Sequence, residues 1–189
     1  KRKGHDMTIR ALPEIRQAVP DVLYAIVGNG EERNSLEELV EETQTAEHVQ
    51  FPGEVSDEDM IRCYQQCDLF ALPNRQVGRD IEGFGRVLLE AQAGGRPVLA
   101  GASGGTRETM RPGETGIVTP CESPEQVAEA ITRQLLDPFQ LEQMAKAARP
   151  WAVENFDWSS LSRQAATLFD IDLPEPAAHQ DSEPAGVLS

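Results

Sequence analysis

The sequence predicts an α/β fold: a doubly wound parallel sheet with helices on both faces. Two observations carry that reading. Short runs of branched and aromatic residues, each suited to a buried parallel strand, recur along the chain, and longer stretches with helical spacing and legible starts lie between them. Such an alternation places ligand sites at the carboxyl ends of the strands.

In chain order, a helix is expected from about Asp6, and strands at Val22–Val27, His48–Phe51, Leu69–Leu72, Pro97–Ala100 and Gly116–Thr119. Ser35 precedes Leu36, Leu39 and Val40 with Glu38 three residues on, Ser56 is followed by Asp59, and Ser123-Pro124-Glu125-Gln126 puts proline at the first helical position. Helix caps are therefore expected at Ser35, Ser56 and Ser123. Arg86 to Ala93 reads as a helix that follows a glycine loop. After Pro138 the chain reads as helix to about Glu154 and again from Ser159 to Phe169, with Phe156 and Trp158 anchoring the join. Residues 171–189 mix Pro174, Pro176 and Pro184 with Ala, Ser and acidic residues, a composition that reads as a disordered tail. No strand precedes the helix at Asp6, although a doubly wound sheet opens with a central one. The domain, residues 1–170, is thus expected to lack its first strand and an amino-terminal domain.

The 189 residues hold no apolar run near the roughly 20 needed to span a bilayer. A formal charge of −15 and a pI near 4.5 argue against nucleic acid as a partner. No apolar signal core follows Lys1-Arg2-Lys3, so a cytoplasmic location is expected, with any membrane contact made by the absent domain. The three cysteines, Cys63, Cys67 and Cys121, read as small core residues in a reducing compartment. Cys63 and Cys67 are one helical turn apart, but His5 and His48 have no spacing that completes a metal set. Gly28-Asn29-Gly30 lacks the third glycine of a dinucleotide loop, Arg33 standing in its place, and reads instead as a sugar-side loop.

The densest stretch runs from Asp80 to Val98: loop, helix, turn, strand. Gly83 and Gly85 let backbone amides approach a ligand, and the amino end of a helix from Arg86 favours negative charge, as a phosphate requires. Glu82 stands before that helix and Glu90 on its second turn, roughly 80° apart if both were helical. Two acceptor-only carboxylates beside an anion-attracting helix end suit the hydroxyls of a ribose and a hexose joined to phosphate. A cap and a salt-bridge partner fit the same two residues. The arginines of this region, Arg79, Arg86, Arg96, Arg107 and Arg111, can likewise attract an anion or pair with Asp80, Glu82, Glu90 and Glu108.

These residues resemble the retaining glycosyltransferases of the GT-B fold, above all the family 4 group, whose carboxyl-terminal, Rossmann-like domain carries a Glu-x7-Glu motif. Six further blocks resemble that family in order: Lys3-Gly4-His5-Asp6, Ala25 to Gly30, Val49 to Val55, Cys67 to Pro73, Gly104 to Glu108 and Gly113 to Gly116. Asp80 to Ala93 and Ala100 to Gly105 look most like the phosphatidylinositol-mannoside mannosyltransferases, which implies a GDP-mannose-like donor. The resemblance implies that Lys3 contacts the donor diphosphate, that Gly83, Phe84 and Gly85 give backbone contacts, that Glu82 is the catalytic-site carboxylate holding sugar hydroxyls, and that Glu90 holds the ribose diol. Gly28 and Gly30 would face the sugar, and Val55 would frame the base. Arg86 stands where an apolar residue is more usual, as a phosphate contact or a partner for Asp80. No metal or other cofactor is implied, because basic side chains and helix amides would stabilise the leaving nucleoside diphosphate. The acceptor would bind the absent amino-terminal domain, so this chain alone is expected to be inactive. A catalytically inactive nucleotide-binding or scaffold domain, and a GT-B-fold sugar-nucleotide epimerase, remain as alternatives.

Overall fold

The computed structural model describes residues 1–171, so the tail expected beyond that point lies outside the described residues. The elements run α1 (His5–Ala18), β1 (Tyr24–Val27), α2 (Arg33–Glu42), β2 (Val49–Gly53), α3 (Asp57–Gln66), β3 (Phe70–Leu72), α4 (Arg86–Ala93), β4 (Val98–Gly101), β5 (Gly116–Thr119), α5 (Pro124–Leu135), α6 (Pro138–Phe156) and α7 (Trp158–Phe169). Short 3-10 turns at Ala46–His48 and Thr106–Thr109 join some of them.

Every strand pairing is parallel, in two pieces: β1 with β2, and β3-β4-β5 with β4 in the centre. Within the described residues β1 and β3 each have one strand neighbour. The three-stranded piece is buried on both faces, and its alternation assigns each side chain to one of two cores. Leu99, Ala71 and Ile117 pack on one side with Ile9, Leu12 and Ile15 of α1 and Val127, Ala128 and Ile131 of α5. Val98, Ala100, Leu72 and Val118 pack on the other with Tyr64 of α3 and Leu88 and Ala91 of α4. This is the doubly wound arrangement that the sequence predicts, with helices on both faces.

The local signals hold unevenly. Ser56 caps α3, its Oγ accepting from the Asp59 amide at 3.1 Å while donating to the Asp59 carboxylate at 2.8 Å. Ser123 caps α5, accepting from the Gln126 amide at 3.4 Å, with Pro124 at the first helical position. Ser35 is not a cap: α2 begins two residues earlier, at Arg33, and the Ser35 hydroxyl donates back to the Glu32 carbonyl at 2.7 Å. The ion pair between Arg33 and Glu37 at i,i+4 favours the longer helix. Phe156 joins the C-terminal helices to the body, packing against Phe84 and Trp151 at 5.9 and 6.1 Å. Trp158 does not, since it is 82% exposed as the first residue of α7. Among the cysteines Cys121 is buried and Cys67 half-buried, but Cys63 lies on the exposed face of α3, so it is not a core residue.

Candidate functional site

Gly4 starts the site. It caps α1 in the left-handed region, at φ 79°, and closes a turn back to the Lys1 carbonyl at 3.0 Å. A Cβ here would overlap the Pro73 carbonyl, so glycine is what lets the Lys1–Gly4 turn lie against the loop after β3. Contacts from both sides hold the two segments together. The Arg75 amide donates to the Arg2 carbonyl at 3.0 Å, and the Arg75 guanidinium grips the Asp6 carboxylate at 2.9 and 2.7 Å. Burial pushes the Asp6 carboxyl up, but those hydrogen bonds and the Arg75 charge outweigh it and hold its pKa below the usual carboxylate value.

The turn reaches in two directions. Lys3 lines a cavity of about 340 Å³, walled also by His5, Gly28, Gly30, Arg33 and Phe51, a volume near the lower end of small-molecule sites. Among the described residues Lys3 makes no ion pair, whereas Arg33 is engaged with Glu37 and lies over the Phe51 ring. Arg2 turns the other way and pairs with Asp80, at 3.1 Å, and with Glu82. The sequence reading missed Arg2. Its two partners lie 78 and 80 positions downstream, and nothing local to Lys1-Arg2-Lys3 announces them.

Glu82 sits in a loop shaped by glycines on both sides. The Gly105 amide donates to the Gly83 carbonyl at 3.0 Å, and a Cβ on Gly104 would overlap the Glu82 carbonyl. Gly85, at φ 80°, turns the chain into α4, and Phe84 packs on Phe156. Glu90 points one carboxylate oxygen to the Tyr64 hydroxyl at 2.8 Å and the other to Arg86 at 3.3 Å. Arg86 therefore pairs with Glu90 and not with Asp80, which Arg2 occupies; at 86% side-chain exposure the Arg86 pair contributes little stability.

The structure thus brings Lys3, Gly28 and Gly30 into one cavity. Glu82, Gly83, Phe84, Gly85, Arg86 and Glu90 form a second cluster around the start of α4, and the Lys1–Gly4 turn connects the two. Val55, half-buried between β2 and α3, does not line the cavity.

His5 was not singled out as a site residue, yet it stands in the cavity wall with Nδ1 2.7 Å from the Tyr24 hydroxyl. Burial first, then the charge of Lys3, lower its pKa from 6.5 to about 4, with Asp6 opposing them. On acidification from pH 6.5 to 4 the unfolded chain takes up a proton at His5 that the folded chain does not. Stability is therefore lost through that window and levels off below it. His5→Gln is expected to remove up to about 3 kcal/mol of the pH dependence between pH 7 and 4, read by urea unfolding at both ends of the range. Parallel curves for both proteins would contradict the assignment.

No helix among the described residues is long and apolar enough to cross a membrane. Residues 1–151 match the family described as "Glycosyl transferases group 1". The chain is 41% identical over 169 residues to the GDP-mannose-dependent alpha-(1-6)-phosphatidylinositol monomannoside mannosyltransferase of Mycolicibacterium smegmatis, covering 88% of this chain and 44% of that protein. Among solved structures it is similar to a sucrose-phosphate synthase from Thermosynechococcus elongatus, at 30% identity and TM-score 0.77, over 89% of this chain and 42% of the other. It is also similar to Anabaena Alr3699/HepE in complex with UDP, at 27% identity and TM-score 0.77, over 89% and 45%. The chain spans less than half the length of these proteins. The ordered sequence blocks, the doubly wound fold and the matched residues agree: the chain belongs to the glycosyl transferases group 1 family, on a GT-B-type domain.

Proposed function

We propose that this chain is the donor-binding domain of a longer glycosyltransferase and that it holds a nucleoside-diphospho-sugar, GDP-mannose in preference, between the Lys3 cavity and the start of α4. The Lys1–Gly4 turn carries the proposal: it presents Lys3 to the cavity and Arg2 to Glu82, and so joins a phosphate-binding cation to a sugar-binding carboxylate. Glu90 takes the ribose hydroxyls. The amides at the start of α4 and Lys3 supply the countercharge for the departing diphosphate without a metal. The mycobacterial relative, named as GDP-mannose-dependent, supports the choice of base and sugar.

Transfer requires parts that a chain spanning 44% of that relative does not contain. The edges of β1 and β3 that have no strand neighbour among the described residues fit a further parallel strand between the two sheet pieces, and in this reading the acceptor binds an amino-terminal domain. Trp158, Leu168 and Phe169, left exposed by α7, fit a contact with that remainder.

Calorimetric titration with GDP, UDP and GDP-mannose, with and without EDTA, tests the reading. GDP is expected to bind more tightly than UDP, and EDTA to change neither. Glu82→Ala is expected to lower GDP-mannose affinity about tenfold and to leave GDP unchanged, because Asp80 still holds Arg2 in place. Absence of heat for all three ligands at millimolar concentration would overturn the proposal.

A further inference from the structure

Glu90 is anchored from a part of the chain that neither the Glu-x7-Glu spacing nor the glycine loop involves. Tyr64, on α3, donates its hydroxyl to Glu90 Oε2 at 2.8 Å across 26 positions of sequence. The residue is only 9% exposed. Phe70 of β3 meets its ring edge-on at 5.4 Å between centroids, and Gly94 lies against the base of the side chain, where a Cβ on it would be 3.3 Å from the Tyr64 Cβ. The hydroxyl is thus a rigid point. It also stays a donor over the ordinary pH range, because burial and then the Glu90 carboxylate both push its pKa up.

Glu90 itself is open, at 40% side-chain exposure. A carboxylate offers about four lone-pair sites, and Tyr64 and Arg86 take one on each oxygen. The remaining acceptor sites suit two hydroxyl donors held side by side. Arg86 is a weak anchor, since it is almost wholly solvated and reaches Glu90 at 3.3 Å. Tyr64 is the anchor that survives thermal motion.

We propose that Tyr64 is a positioning residue that fixes the Glu90 carboxylate for a vicinal diol, and thereby gives the site its preference for ribonucleotides over 2′-deoxyribonucleotides. The inference rests on Glu90 meeting the ribose, as the proposed function has it. A carboxylate free to rotate gains less from a second hydroxyl, because each binding event must first order the side chain; a pre-oriented one collects both bonds at once.

The full chain is titrated with GDP, UDP and their 2′-deoxy counterparts, as wild type, Tyr64→Phe and Glu90→Ala. Phenylalanine keeps the ring and its packing on Phe70, and circular dichroism checks the fold. Wild type is expected to prefer each ribonucleotide. Tyr64→Phe should lose five- to tenfold of that preference while binding the 2′-deoxy forms as wild type does. Equal weakening for both sugars would mark Tyr64 as a general packing residue and overturn the inference, as would an unchanged preference. Glu90→Ala separates the two levels. If it abolishes the preference and Tyr64→Phe does not, the Glu90 reading stands and the Tyr64 inference falls; if Glu90→Ala leaves the preference intact, both fall.

Discussion

Glu90→Ala is expected to raise the Kd for GDP about 30-fold, equivalent to about 2 kcal/mol, while the fold barely changes. Hydrogen bonds to a charged acceptor are the strong ones, and this carboxylate keeps acceptor sites free after Tyr64 and Arg86 are served. Stability should respond differently from affinity. The Arg86 pair is an exposed i,i+4 contact worth a few tenths of a kcal/mol, and the main loss is the partner of the Tyr64 hydroxyl, about 1 kcal/mol, so Tm should fall by only about 2–4 °C. Calorimetry with GDP and a thermal melt on the same sample check both halves. A large affinity loss with an equally large Tm loss would mean that Glu90 is a structural residue. An unchanged affinity would remove it from the site.

The parts of this site that were legible in the sequence are those written locally. The α4 helix after a glycine loop, with Glu82 before it and Glu90 on its second turn, follows from residues within ten positions of one another. The same holds for Ser56 and Ser123, whose caps depend on neighbours three residues away. Ser35 misled because its spacing is equally good for a first-turn serine, and only the Arg33–Glu37 pair and the turn at Gly30 start the helix earlier. Illegible throughout were contacts made by folding. Arg2 with Glu82, Arg75 with Asp6 and Tyr64 with Glu90 join segments 80, 69 and 26 positions apart, and a periodicity argument carries no information about them. Two of the three bind carboxylates that the sequence marks out, Glu82 and Glu90, but nothing near those residues names the partner that holds them. Trp158 failed for a related reason: aromatic character identifies a residue that gains from burial, but not the surface that would bury it.

Gly101→Ala is expected to destabilise the fold more than any exposed-site change, by about 4 kcal/mol, because of what lies against it. Gly101 ends β4, and a Cβ there would overlap the backbone of Asn74 in the loop after β3. Asn74 cannot retreat without loss. It is fully buried, its amide group donates to the Ser103 carbonyl at 2.7 Å, and its side-chain oxygen accepts from the Gly101 amide at 2.9 Å. Overpacking against backbone costs about 1–3 kcal/mol, and each buried hydrogen bond broken adds about 1. For a chain of this size the sum corresponds to a Tm lower by about 8–16 °C. Gly113→Ala is the comparison: that glycine, unlike Gly101, has a positive φ, of 86°, but open space where the Cβ would go, so backbone strain of about 1–2 kcal/mol without overlap is expected. Equal melting losses for the two variants would show that the close approach of β4 to the Asn74 loop is not what holds them together. The same displacement should reach the site, because the next residue, Arg75, donates its amide to Arg2 and grips Asp6 at the start of α1. Gly101→Ala should therefore weaken GDP binding even below its melting transition, without altering any residue of the cavity or of the α4 cluster.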